Sequence, residues 1–266
     1  MEKESRRIPP IAADYLNGIS PRARAIEKRK KIIDWLYRWG FSSGPLLTQV
    51  GGAKQSVVGK LVKSELIIAT RTEAGGITWG MPTHYYTLTE MGLNEATGFA
   101  MKLLRAPEVD DRYKVTQMLI RHNLIAQNAT INALNSGTII DYETERQSDN
   151  GDKSGQKRPD VIWFLPKGGK IGIEVELSPK WDRRLDEFVT GIAISLRPDE
   201  NGLSRFDRVH IFTDSPSIIE RYKSAMQPGE NMQFWKKNSR QHWEVEKTHP
   251  VPKWLIERID FSLIKE

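Results

Sequence analysis

Arg158-Pro159-Asp160-Val161-Ile162-Trp163-Phe164, Lys167-Gly168-Gly169 and Lys170-Ile171-Gly172-Ile173-Glu174-Val175-Glu176-Leu177-Ser178-Pro179-Lys180-Trp181 decide the fold of the larger part of the chain. Two apolar, β-branched runs joined at a Gly-Gly turn read as a hairpin. Residues two apart on a strand point to the same face, so Glu174 and Glu176 share a face. Asp160, where Pro-Asp enters the partner strand, can lie beside them. Ser178 followed by Pro179 reads as an N-cap with proline at the first helical position, predicting a helix over 180–196. Trp163, Phe164 and Trp181 are expected in the core.

Working outward, 113–134 has the period of an amphipathic helix and contains His122 and Gln127. Residues 139–145 read as a strand, 147–156 as a polar loop, 209–213 as a strand and 217–226 as a helix. Residues 101–112 read as a linker. The last segment carries Phe234, Trp235, Trp243 and Trp254 among lysines. Such rings could stack on single-stranded bases, but a packed peripheral strand–helix unit is the plainer reading.

Three converging carboxylates invite a hard divalent cation held by oxygen ligands, Mg²⁺ or Mn²⁺. Asp160 and Glu174 are the first metal-ligand candidates. Glu176 is either a ligand or base, or merely a neighbour on the same face. Lys180 could orient water or stabilise charge in the transition state, or sit exposed in a first helical turn. Glu145 could be a supporting carboxylate. His122 is either a site residue or a packed histidine. Arg146 and Arg158 bind phosphates or balance the carboxylates.

The first 100 residues follow a different pattern. Ser20-Pro21 opens a helix that runs to Gly40; a short segment 45–50 and a Gly51-Gly52 turn precede a third helix over 54–65. Residues 66–71 and 84–88 read as strands of a β-hairpin, and Thr89 as the N-cap of a further helix. This order is that of a winged helix-turn-helix. Lys54, Gln55, Ser56, Lys60 and Lys63 line the polar face of the third helix. There Gln55 and Ser56 would meet base edges and the lysines phosphates.

The chain has 266 residues, 40 Lys+Arg against 34 Asp+Glu, and no cysteine. Disulfides, thiolate metal sites and a cysteine nucleophile are excluded. No apolar run is long enough to span a bilayer, and the charged N-terminus has no signal-peptide core, so a cytoplasmic location is expected. Residues 1–100 hold 14 Lys+Arg and 9 Asp+Glu, so most of the net charge of +6 lies in the expected DNA-reading half.

The spacing of Pro159-Asp160 and Glu174-Val175-Glu176 resembles the PD-(D/E)xK nuclease superfamily, with Glu176 where the motif lysine usually stands and Lys180 placed as its substitute. The wider series also includes a winged helix, His122-Asn123-Leu124-Ile125-Ala126-Gln127, and Thr144-Glu145-Arg146. It resembles the replication-relaxation proteins and the MOBC-class relaxases over roughly residues 25–225. The five histidines include no His-x-His pair of the commoner relaxases, and no motif selects a nucleophile among the seven tyrosines.

The expectation is an α+β chain in three parts. A winged helix-turn-helix over 20–100 precedes an α/β restriction-endonuclease-like domain over 110–228, with an extension over 229–266. The resemblance implies a metal-dependent relaxase that nicks one strand at a plasmid transfer origin. Its partners would be that DNA, a mobilisation accessory protein and a coupling protein. The alternatives are a DNA-binding initiation or regulatory protein with a degenerate nuclease fold, and a double-strand restriction-type endonuclease.

Overall fold

The computed structural model describes residues 19–52, 55–77, 80–104, 115–147 and 157–264. Lys54, Tyr113, most of the expected linker and nearly all of the expected polar loop lie outside these residues. The chain is α+β and forms two compact units. The first comprises 19–71 and 84–101, the second 72–83, 102–104 and 115–264, among the described residues.

In the first unit, α1 (Pro21–Trp39) begins where Ser20 accepts a 3.2 Å hydrogen bond from the Ala23 N–H. Its second half is buried through Ile32, Ile33, Trp35, Leu36, Tyr37 and Trp39. Next come β1 (Ser42–Ser43), α2 (Gly44–Val50), α3 (Gln55–Lys63), β2 (Ile67–Arg71), β3 (His84–Leu88) and α4 (Glu90–Thr97). The sheet order is β1-β3-β2, antiparallel throughout. Strand β1 is absent from the sequence reading because two serines carry no period. Its pairing of Ser42 with Tyr86 and Ser43 with Tyr85 defines it.

Thr89 caps α4, accepting from the Gly92 N–H at 3.1 Å, while its own N–H donates to Leu66 O at 3.2 Å. These bonds draw α4 onto the backbone that enters β2. A Cβ at Gly92 would lie 2.0 Å from Leu66 O. The stretch Leu88-Thr89-Glu90-Met91-Gly92 therefore holds both the helix cap and the close approach to Leu66.

In the second unit, a 3₁₀ turn (Gln117–Leu119) precedes α5 (Ile120–Asn135). Strands β4 (Asp141–Thr144), β5 (Val161–Phe164) and β6 (Lys170–Val175) follow, then α6 (Asp182–Leu196), β7 (Arg208–Thr213) and α7 (Pro216–Ala225). The chain continues through the hairpin β8 (Asn231–Lys237) and β9 (Trp243–Pro250), α8 (Trp254–Glu257) and β10 (Ile259–Leu263). The main sheet has the order β10-β7-β6-β5-β4. β4, β5 and β6 are antiparallel neighbours, and β6, β7 and β10 run parallel. Gly168 and Gly169, both at positive φ, make the β5–β6 turn.

Register puts Ile162, Gly172, Val209 and Ile259 in one row across the sheet. Ile162, Val209 and Ile259 pack with Phe188, Ile192 and Leu196 of α6 and with Ile218 and Tyr222 of α7. Full burial of an aliphatic side chain of this kind contributes about 1.5–3 kcal/mol. Trp163 is buried as expected and its Nε1 donates to Thr130 Oγ1 of α5 at 2.9 Å.

Two segments depart from the sequence reading. Among the described residues, the helix expected over 113–134 spans Ile120–Asn135, behind the 3₁₀ turn. Helix α6 starts at Asp182 with Trp181 as its N-cap, so Ser178-Pro179 does not open it. Residues 177–181 run irregularly instead, and the Lys180 N–H donates to the Tyr222 hydroxyl at 3.4 Å. Trp181 is 55 % exposed and is not a core residue.

Replacing Gly92 with Ala should destabilise the first unit by at least the ~1–3 kcal/mol of an overpacked core site. Denaturant unfolding followed by far-UV circular dichroism reads this directly. Wild-type stability in the variant would mean that α4 does not sit on Leu66 as described.

Candidate active site

The C-terminal end of β6 opens on a cleft of about 660 Å³ in the second unit. Alternation sends Glu174 and Glu176 into it together, and Asp160 enters from the start of β5. His122 comes from α5 and Lys180 from the irregular segment before α6. Five residues selected from the sequence therefore converge.

Each carboxylate is held differently. Asp160 takes the place of a strand partner: its N–H donates to Ile173 O at 3.0 Å, and its Oδ2 accepts from the Val175 N–H at 2.7 Å. The same oxygen lies 3.3 Å from His122 Nε2. Burial works against charge on the His122 ring, but the hydrogen bond and negative charge of Asp160 outweigh it and bring its pKa to about 9. The imidazole is therefore a cation at neutral pH.

Glu174 is 2 % exposed, and its Oε2 lies 2.8 Å from Lys157 Nζ. Burial pushes its carboxyl up to about 8 against the pull of Lys157; the charge of Asp160 adds to the rise. Burial also opposes charge on Lys157, yet Glu174 outweighs it and the lysine pKa is raised. Ionised or protonated, Glu174 can accept from that ammonium. Its other oxygen, Oε1, is buried and has no hydrogen-bond partner.

Glu176, 6 % exposed, pairs with Lys180 through Oε1 and accepts from the Tyr222 hydroxyl at 3.3 Å through Oε2. Burial raises the Tyr222 pKa, and Glu176 adds to the rise, so the phenol keeps its proton and remains a donor.

Lys157 and Tyr222 escaped the sequence reading. Lys157 precedes β5, so strand alternation gives it no direction. Its backbone N–H donates to Ser195 Oγ at 3.0 Å and Gly191 O at 3.2 Å, which docks the segment on α6 and aims the side chain at Glu174. The only sequence signal was a Lys-Arg pair next to Pro-Asp. Tyr222 lies in a helix 46 positions beyond Glu176, a separation no local pattern bridges.

Three other candidates lie outside the cleft lining. Glu145 is exposed in the turn after β4 and pairs with Arg158 at 3.6 Å; Arg146 occupies the same turn. Arg158 thus balances a carboxylate, one of the two roles expected for it.

In the first unit, Gln55 begins α3, and Ser56, Lys60 and Lys63 are exposed along it. A groove of about 530 Å³ between α1 and α3 is lined by Arg24, Lys28, Arg29 and Lys60. Two of these cations serve the fold. Lys28 Nζ donates to Gly52 O at 2.7 Å, and Arg29 forms a two-pronged pair with Glu95.

No family model, curated protein or solved structure matches this chain. Its chemistry must be argued from its own residues. Among the described residues, no group of three or more acidic and histidine side chains is gathered so as to hold a metal ion. The cleft carboxylates instead meet Lys157, Lys180 and His122. The donor set nevertheless has the chemistry of a hard-cation site: buried carboxylate oxygens, one of them, Glu174 Oε1, without a partner. No described helix is long and apolar enough to cross a membrane.

Two outcomes follow from this geometry. Lys157→Met should destabilise the second unit increasingly as pH rises through about 8 and Glu174 ionises, by up to about 3–5 kcal/mol, and Lys157→Met/Glu174→Leu should recover most of it. Denaturant midpoints of the two variants check this; equal loss in both would show that the pair is not coupled. His122 should titrate by NMR near pH 9 and fall toward its ordinary value in Asp160→Asn. Because its folded pKa lies above the unfolded value near 6.5, its stabilising contribution is complete below that pH and is lost as pH rises through about 9.

Proposed function

We propose that this protein is a metal-dependent DNA endonuclease of the nicking, relaxase type, with a DNA-reading winged helix ahead of its catalytic unit. The observation that carries the reading is the convergence of Asp160, Glu174 and Glu176 with Lys157, Lys180 and His122 in one cleft. The order α5-β4-β5-β6-α6-β7, with β6 and β7 parallel at the centre of the sheet, supports a restriction-endonuclease-like core. The order α1-β1-α2-α3-β2-β3 supports a winged helix, and the exposed Ser56, Lys60 and Lys63 support groove and phosphate contacts by α3.

Asp160, Glu174 and Glu176 would hold Mg²⁺ or Mn²⁺, which supplies charge to a phosphate oxygen and acidity to a bound water. The protein groups do the rest. Val175 N–H and His122 fix the orientation of Asp160. Tyr222 holds Glu176 at the base of the cleft. Lys157 and Lys180, now paired with carboxylates, provide the positive charge that a scissile phosphate would need. The DNA of a transfer origin and the accessory and coupling proteins of plasmid mobilisation belong to this proposal through the family resemblance alone.

The same ion pairs favour a second reading. A cleft whose acids already meet protein cations also suits a DNA-binding initiation or regulatory protein with an inactive nuclease fold. Supercoiled plasmid carrying the cognate origin, incubated with Mg²⁺ or Mn²⁺, separates the two. The expected product is open-circular DNA, reduced at least a hundredfold in rate by Asp160→Asn or Glu174→Gln, on the scale of about 3 kcal/mol for a transition-state contact. Binding without cleavage would leave the regulatory reading, and linear product would identify a double-strand endonuclease.

A further inference from the structure

The mouth of the cleft is apolar and exposed, unlike its interior. Trp181 stands on one side at 55 % exposure, with Met118 at 90 % and Leu119 at 50 % on the rim formed by the 3₁₀ turn. Desolvation favours burying such side chains, so their exposure at a rim of charged groups marks a surface made to be covered.

The Trp181 ring is already fixed. Its neighbour Asp182 has φ +45°, in the left-handed region that favours glycine, at the junction where α6 begins. Strain of this kind persists where the surroundings hold the backbone in place. The Arg221 guanidinium lies 3.2 Å from the ring centroid. One π-face is thus occupied by a cation, and the ring is still more than half exposed beside the cleft.

The arrangement recurs nearby. Trp243 of β9 is 44 % exposed and carries the Arg183 guanidinium, which also pairs with Glu187, 4.2 Å from its centroid, with Lys237 Nζ at 5.4 Å. Arg183 is in the first turn of α6, two residues after Trp181. Exposed aromatic faces backed by arginines are the elements of a single-strand track: bases stack on the rings and the cations neutralise the backbone. A base inside a duplex has both faces covered by its neighbours and cannot use such a ring. Apolar side chains like Met118 and Leu119 are the type that inserts between base steps and unstacks them.

We propose that Trp181 and Trp243, backed by Arg221 and Arg183, form a base-stacking track that delivers an unpaired DNA strand to the cleft. The inference rests on the reading of the second unit as a DNA-cleaving domain and adds the state of the strand it takes. Unpaired nucleotides would be held on the rings, and the strand would reach the carboxylates past Trp181, which lines the cleft.

The test uses the full-length protein, a fluorescein-labelled oligo-dT strand of roughly 15 nucleotides, and a duplex of equal length, by anisotropy in EDTA. Trp181→Ala should weaken strand binding about 5- to 100-fold, the range of one lost base stack, and leave duplex affinity unchanged. Trp181→Phe, which keeps a π-face, should stay within about threefold of wild type. Trp243→Ala, on an exposed strand, should lose strand affinity in the same direction and covers the case in which the Trp181→Ala protein does not fold. Undiminished strand binding in folded alanine variants, or equal loss for strand and duplex, overturns the proposal. Nicking is read separately: tryptophan-dependent strand binding without nicking by any protein supports the track and rejects the nuclease reading. Nicking with tryptophan-independent binding does the reverse.

Discussion

Glu174 is a carboxylate buried at the end of the central strand, and the second unit is organised around keeping it there. Ionising a carboxyl in such a place costs several kcal/mol even after the surroundings relax, which is why burial pushes its pKa up to about 8. Lys157 offsets part of that cost at 2.8 Å, and reaches Glu174 because Gly191 and Ser195 of α6 hold its backbone. Asp160 occupies the same end of the sheet as a substitute backbone partner for Val175. Helix α6 covers these groups with Phe188, and the Lys157 and Lys180 ammonium groups lie 5.7 and 4.6 Å from that ring. Sheet, helix and ionisable cluster are one arrangement.

The elements legible in the sequence are those whose information is local. The hairpin of β5 and β6 was visible because alternation, Pro-Asp and Gly-Gly all lie within twenty residues. The cap at Thr89 was visible for the same reason, whereas the close approach of Gly92 to Leu66 depends on a distant part of the chain. The convergence of Asp160, Glu174 and Glu176 followed from alternation plus hairpin pairing, which needs no more than one turn. Lys157 and Tyr222 were hidden because their directions depend on α6 and α7 docking on the sheet. Ser178-Pro179 misled because a good capping pair was overridden by tertiary bonds: Lys180 turns back to Glu176 while its N–H is taken by Tyr222. Trp181 was misread as core because large aromatic side chains usually are, and its exposure follows from that same displaced helix start.

Charge is divided between the units by function as well as by number. Basic residues of the first unit lie partly in the fold itself, as Lys28 at Gly52 and Arg29 at Glu95 do, and partly along the exposed side of α3. In the second unit, acids and bases are matched inside the cleft, and outside it Arg221 lies on the Trp181 ring while Arg183, itself paired with Glu187, lies on Trp243. A near-zero total there reflects internal pairing. It carries no implication that this half is electrostatically idle.

Strand β10 is paired along its whole length with β7, from Ile259 opposite Val209 to Leu263 opposite Thr213. It is also the last strand of this sheet in sequence order. During synthesis, β7 presents an open edge until residues 259–263 emerge, and such an edge is a template for pairing with other chains. The sheet therefore closes at this edge only once residues 259–263 have emerged, through a parallel pairing that spans fifty residues. Parallel, long-range pairing of this sort folds slowly. The hairpin β8–β9 and α8 fill that interval in the sequence. A sheet built this way gains its last edge in a single late step, well after the strands that carry the cleft carboxylates have paired.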